Sequence, residues 1–246
     1  MLVFFKRDFY ELRRNFIFYF AIFSLFPIIT YLLLVIPLSF FIFTEVRYLN
    51  WSAPGIWVVC SVMASFFSTS IRFHKLKYET KEIDAILATP ITNSSFLLSI
   101  LVRGLLFGVI QFIFSLMITS FLNNEYFGLL NLIIIFAHML IIVSFFSIVG
   151  AIVGLIIKNM MFLMQFSIAL FMLLSLGMDL FIPIEAFPNS YSIILDKVPL
   201  VTLFNNIQHI IIHGKINWLG YFITMLMSLA LFFITLATYA KALRKI

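Results

Sequence analysis

The chain has little charge and almost no cysteine. Of its 246 residues, 11% are Asp, Glu, Lys or Arg, and Cys60 is the single cysteine. One cysteine excludes an internal disulfide and any multi-cysteine metal site. None of the nine glycines stands in a run that ends in Gly-Lys-Ser/Thr, so no phosphate-cradling loop is present. There is no His-Glu-x-x-His pattern and no cluster of acids. The chain is therefore read as a non-enzyme, with no catalytic residues and no metal or cofactor of its own. A soluble basic module is also missing, so the net charge of +6 is not the footprint of a nucleic-acid binder.

What fills the chain is hydrocarbon. Apolar residues make up 63% of it and Phe alone accounts for 32 positions, against roughly half apolar in a soluble domain. The mean hydropathy is +1.15. About 20 residues at 1.5 Å each cross a hydrocarbon core of roughly 30 Å. Six runs qualify: 16–43, 53–71, 96–122, 129–157, 160–181 and 218–239. None alternates as a barrel strand would, which leaves a helical bundle. The expected fold is an all-α integral membrane protein, one domain over 1–246 with six transmembrane helices. Several runs exceed the bilayer thickness and predict tilt or kinks, with Pro27 and Pro37 as kink points.

Orientation follows from the basic residues. One side collects Lys6, Arg7, Arg13 and Arg14, then Arg72, Lys75, Lys77 and Lys81, then Lys158, and finally Lys241, Arg244 and Lys245. The other side carries only Arg47, Lys197 and Lys215. Both termini and the segment 75–95 are thus expected in the cytoplasm. The first run is too long for a signal-peptide core, and Asp8 and Glu11 interrupt its leading segment, so it is expected to stay as a span. Residues 5–16 set Phe5, Phe9, Leu12 and Phe16 on one helical face among basic residues. That is an interfacial helix, a simple positive flank to the first span, or both.

Two segments stand outside the spans. The stretch 75–95 is the one long charged segment between two apolar runs. Within it Ile83, Ile86 and Leu87 recur at i, i+3 and i+4, a short stripe that can seat in a partner's groove. Glu82 and Asp84 flank the stripe, and Pro90 after Thr89 ends the helix. The stretch 183–217 is apolar but broken by Pro183, Pro188 and Pro199, and Glu185 lies among them. In it Leu200, Leu203, Phe204, Ile207, Ile210 and Ile211 are expected on one helical face. Thr202, Asn205, Asn206, Gln208, His209 and His213 are expected on the other. This predicts outer helices that dip into the leaflet or lie on it, with a further short helix over 191–198.

Gly104 and Gly108 in the third run, and Gly150 and Gly154 in the fourth, have helix-packing spacing and are expected near one another. Arg103 is expected to anchor at the cytoplasmic surface, and His138 to hydrogen-bond a neighbouring helix. Gln111 and Gln165 are the other polar members, and Asp179 is the one acid at membrane depth.

These residues together resemble a family. Lys81-Glu82-Ile83-Asp84-Ala85-Ile86-Leu87-Ala88-Thr89-Pro90 is similar to the coupling segment of ABC-2 type transporter permeases, roughly Gly-Thr-Leu-Glu-x-Leu-Leu-x-Thr/Ser-Pro. Ala53-Pro54-Gly55 looks like the Pro-Gly start of the family's second span. Phe181-x-Pro183-x-Glu185-x-Phe187-Pro188, with Pro199-Leu200 after it, resembles its outer re-entrant region. Lys81 replaces the family's Gly, and Gln208 stands where the family has Arg. The resemblance covers nearly the whole chain. It implies the permease subunit of an ABC exporter in a bacterial cytoplasmic (inner) membrane. It further implies a second permease copy as homodimer or paralogous heterodimer, and cytoplasmic ABC ATPase subunits that bind the ATP and Mg. The cargo would be a lipid-linked glycan, lipid, drug or similar amphipathic molecule. A haem or cytochrome c maturation permease, suggested by His209 and His213, and an ion-driven secondary transporter are the alternatives.

Overall fold

A computed structural model describes residues 10, 13–44, 47–80, 82–83, 93–124, 128–213 and 218–243. The described residues are mostly helical, with no strand among them. Helix α1 runs over Phe16–Leu38, and α2 over Tyr48–His74 with one wider turn, Lys75–Glu79, continuing it. Then come α3 (Asn93–Asn123), α4 (Leu129–Ile156) and α5 (Met160–Gly177). Two shorter helices follow, α6 (Asn189–Leu195) and α7 (Pro199–His213), before α8 (Trp218–Leu243). Helices α1 to α5 are long and apolar enough to cross a membrane, and the chain is a helical membrane protein. Six spans are expected and five such helices are found among the described residues; α8 covers the sixth expected run. The expected interfacial helix over 5–16 falls largely outside the described residues.

Helix α2 is the axis of the bundle. It packs most extensively on α3 and α4, and 72% of its apolar window is buried, against 28% for α1 and 22% for α5. It is also the least hydropathic of the five. Lipid tails are as apolar as Leu, so lipid-facing helices gain from pure hydrocarbon while an interior helix can carry hydroxyls that hydrogen-bond. Ser61, Ser65, Thr69 and Ser70 of α2 are all fully buried. The Ser61 hydroxyl donates to Trp57 O and the Thr69 hydroxyl to Ser65 O, one turn back. Ser65 instead reaches across to Val143 O of α4 at 3.0 Å.

The glycine pairs meet this hydroxyl ladder. A Cβ on Gly104 would collide with Thr69 and Ser147, and one on Gly108 with Val143 and Ser61 O. A Cβ on Gly150 would lie 2.7 Å from Phe66 O, and one on Gly154 would strike the backbone of Ser70. The two pairs therefore flank the same strip of α2, on α3 and α4 respectively.

Helix α1 carries Pro27 in its interior and Pro37 in its last turn. Pro27 has no N–H to give Phe23 O, and a bare carbonyl in hydrocarbon costs several kcal/mol. Gln111 of α3 supplies the missing donor, with its Nε2 3.0 Å from Phe23 O. Beyond Pro27 the helix widens over Tyr31–Val35 and resumes at Ile36.

Gly150→Leu should force α4 off α2. Overpacking costs about 1–3 kcal/mol, so its melting temperature in detergent should fall, while Gly128→Ala, which meets nothing within 4 Å, should leave it unchanged.

Candidate functional site

The charged segment begins later than its composition suggests. Helix α2 runs on past residue 71 to His74 and then wraps one wide turn, closed by Thr80 N–H donating to Lys75 O at 2.9 Å. This turn aims two side chains at the end of α4. Lys77 Nζ and the Tyr78 hydroxyl both donate to Leu155 O, at 2.9 and 2.7 Å. The last carbonyls of a helix have no partner within it and carry partial negative charge, so a lysine and a phenol are apt caps. Beside them His74, buried, lies 3.1 Å from Lys158 O through Nε2.

Just beyond the turn, Ile83 is fastened as well. Ile83 is 4% exposed and packs in a second apolar core with Phe73, Leu76, Phe96, Leu97 and Leu155. It faces its own bundle, unlike the outward stripe expected for it. Its side chain finds more apolar area against α2, α3 and α4 than water would leave it. Glu82 is exposed. Asp84, Ile86, Leu87, Thr89 and Pro90 lie outside the described residues. The structure thus joins the first part of this segment, through Ile83, to the end of α4 by one small core and one shared carbonyl.

At the opposite end the chain turns inward after α5, which stops at Gly177 rather than near residue 181. The Gly177 carbonyl accepts from the Tyr191 hydroxyl at 2.9 Å. Leu180 and Phe181 are fully buried, and Phe181 O accepts from Tyr48 at 2.6 Å. A Cβ on Gly55 would sit 2.6 Å from Leu180 O, so glycine alone admits this approach. Pro183 stands before a short 3-10 turn, Ile184–Ala186, while exposed Glu185 and Pro188 lie on the surface. The short helix expected over 191–198 forms earlier, at Asn189–Leu195.

In α7, Leu203, Phe204, Ile207 and Ile210 are buried as their spacing predicts. Asn206 and Gln208 are buried too, at 1% and 6% exposure, so the expected polar face does not simply meet water. The side chains of Pro199, His209 and His213 lie outside the described residues. Asp179 takes a left-handed φ of 57° and is buried. Burial pushes its carboxyl up to about 7, against a smaller opposing effect of a hydrogen bond from Asn205.

The remaining polar members divide. Gln165 is exposed on α5. His138 Nδ1 donates to Ile134 O, one turn back on its own helix, where a bond to a neighbouring helix is expected. Arg103 sits with its guanidinium carbon 5.2 Å from the Phe107 ring centre and lines a cavity with Arg72 and Lys75. Sequence reasoning missed that grouping, because the three cations come from two helices that only packing brings together. The low hydropathy and hydroxyl content of the second run are the signals that mark α2 as central.

No family model matches the chain, and neither a curated protein nor a solved structure matches it.

Asp179 gives the fold a pH dependence. Its folded carboxyl titrates near 7 and its unfolded one near 3.8, so the folded state holds the extra proton between them. The stabilisation is complete below the lower value and is lost as pH rises through the upper one. The melting temperature in detergent should therefore drop between about pH 4 and pH 7 and level off above that. Asp179→Asn should flatten that profile.

Proposed function

We propose that this chain is the membrane permease subunit of an ATP-driven exporter, and that segment 75–95 is where a cytoplasmic ATPase docks. The carrying observation is the double fastening of that segment: Lys77 and Tyr78 on Leu155 O, and Ile83 in the core shared by α2, α3 and α4. A push on a loop so tied is passed to three packed helices instead of being absorbed by the loop. The similarity of Asp84 through Pro90 to an ABC-2 coupling segment supports the same reading.

In this reading the basic end of the bundle faces the cytoplasm, α8 is the sixth span, and α6 and α7 dip into the outer leaflet. Ile86 and Leu87 form the apolar contact with the ATPase; Ile83 holds the loop to the bundle. ATP and Mg are bound by the partner. A second permease copy, identical or paralogous, completes a path for an amphipathic molecule.

A carboxylate forced into an apolar groove costs about 3 kcal/mol, roughly a hundred-fold in affinity. Ile86→Asp should thus abolish co-purification with a cytoplasmic ABC ATPase partner while membrane insertion persists. Full retention of the ATPase would sink the docking assignment. Lys77→Met combined with Tyr78→Phe should keep the ATPase bound yet uncouple it, seen as ATP hydrolysis that no longer drives export from vesicles.

A further inference from the structure

Asp179 and Asn205 meet where the chain crosses from the end of α5 to α7. Asn205 donates to the Asp179 carboxyl, and so does the Ile184 N–H. Each head nonetheless keeps one bare oxygen: Asp179 Oδ1 and Asn205 Oδ1 are buried and have no hydrogen-bond partner. Both bonds to Asp179 therefore fall on Oδ2. An amide donates only through its nitrogen, and its oxygen lies on the same planar head. The two bare acceptors thus belong to two heads already in contact. A buried acceptor without a donor has given up its bonds to water and gained nothing in return.

Space and charge narrow what could satisfy them. Neither oxygen has surface open to a water molecule. A hard metal ion asks for about six oxygens, and two are bare here. Glu185 and Asp196 act on Asp179, and both push its carboxyl toward the neutral form, as burial does more strongly. Tyr48 of α2 and Tyr191 of α6 stand nearby as neutral donors to Phe181 O and Gly177 O. His209 follows Asn205 by one turn of α7, its side chain outside the described residues. One proton supplies what is missing. On Asp179 Oδ1 it donates to Asn205 Oδ1, while Asn205 Nδ2 donates to Asp179 Oδ2, which closes a ring of two bonds. Once the proton leaves, two lone pairs face each other and a buried charge stands beside two further acids.

We propose that this acid–amide pair is a pH-sensitive latch: the proton between Asp179 Oδ1 and Asn205 Oδ1 fastens segment 178–198 to α7, and its loss releases that segment. The two sides of the latch differ in how firmly they are held. Helix α7 packs on α2, α4 and α8 and is the fixed side. Helix α6 packs chiefly on the 3-10 turn before it, and its Ile193 and Ile194 are more than half exposed. Asp179 also holds a left-handed φ of 57°, which a residue with a side chain adopts at a cost. Release therefore relieves strain at the latch itself. Leu180 and Phe181, next in the chain, seat against Gly55 and Tyr48, so release reaches the first half of α2. The latch goes beyond the transport reading and stands whether or not an ATPase drives the chain.

The test follows backbone hydrogen exchange by mass spectrometry in the full-length protein in neutral detergent. Between about pH 5 and pH 8 ordinary carboxyls are already largely ionised. Over that range exchange in 178–198, corrected for its intrinsic pH dependence, should quicken about ten-fold or more, while α3 and α4 keep their rates. Asp179→Asn gives and takes the same two bonds at every pH, so its segment should stay protected throughout. Asn205→Ala should exchange fast at both ends of the range. Should Asn205→Ala fail to fold, Asn205→Asp decides, because a second carboxyl sharing the proton should move the step to higher pH. His209→Gln should leave the step in place. In difference infrared spectra the carbonyl stretch of a neutral carboxylic acid should fade across the step and be absent from Asp179→Asn. Exchange in 178–198 that does not change with pH would overturn the proposal. So would a step that spreads equally over α3 and α4, survives in Asp179→Asn, stays unmoved in Asn205→Asp or vanishes in His209→Gln.

Discussion

In a membrane the hydrophobic effect cannot tell inside from outside, so helices are held by close backbone approach and by the few polar bonds that lipid cannot offer. Here that approach happens along one strip of α2. Gly104 and Gly108 from α3, and Gly150 and Gly154 from α4, leave no room for a side chain against Ser61, Ser65, Phe66, Thr69 and Ser70. The strip sets the positions of α3 and α4, and both the fastened loop and the cavity are built on those positions. Hydroxyls there are tolerated because each can return its proton to a carbonyl, its own helix's or, for Ser65 and Ser147, a neighbour's.

The same rule of satisfaction shapes the rest of the bundle. Pro27 leaves Phe23 O without its helical donor, and Gln111 fills the gap from α3. Phe23 and Gln111 also line the cavity, so the bond that answers the proline ties α1 to α3 at the cavity wall. At the other end Tyr31 donates to Asn123 and Asn123 donates to Leu49 O, joining α1, α3 and the start of α2. The two ends of α2 are thus held by partly different chemistry. Tyrosine hydroxyls serve at both, joined by the Asn123 amide at one end and by Lys77 and His74 at the other, where they meet the last carbonyls of α4 and its exit.

The positions of the long helices were legible in composition, because only apolar runs of sufficient length survive in hydrocarbon. Their ends were less so. Polarity marks where a chain leaves the membrane, and α2 keeps its helix through Lys75–Glu79 because those residues are compatible with helix in water. The fifth run misled in the opposite sense. Its apolar character persists through Phe181 while the helix stops at Gly177, since Leu180 and Phe181 bury against protein rather than lipid. Ile83 and Gln208 show the same limit: a short stripe gives a face, and says nothing of what the face meets.

The sequence by itself determined a helical membrane protein, the places of its long helices, the glycines that pack them and the segment where charge is concentrated. These are properties of single stretches, set by length, hydropathy and side-chain size. Only the tertiary structure decided that α2 is the axis, that Ile83 turns inward, and that Arg72, Lys75 and Arg103 stand around one cavity. Each depends on which helix lies beside which, and in a chain where 63% of residues are apolar, hydropathy is nearly the same on every side. Shape and a few hydrogen bonds make that choice, and they exist only once the helices have met.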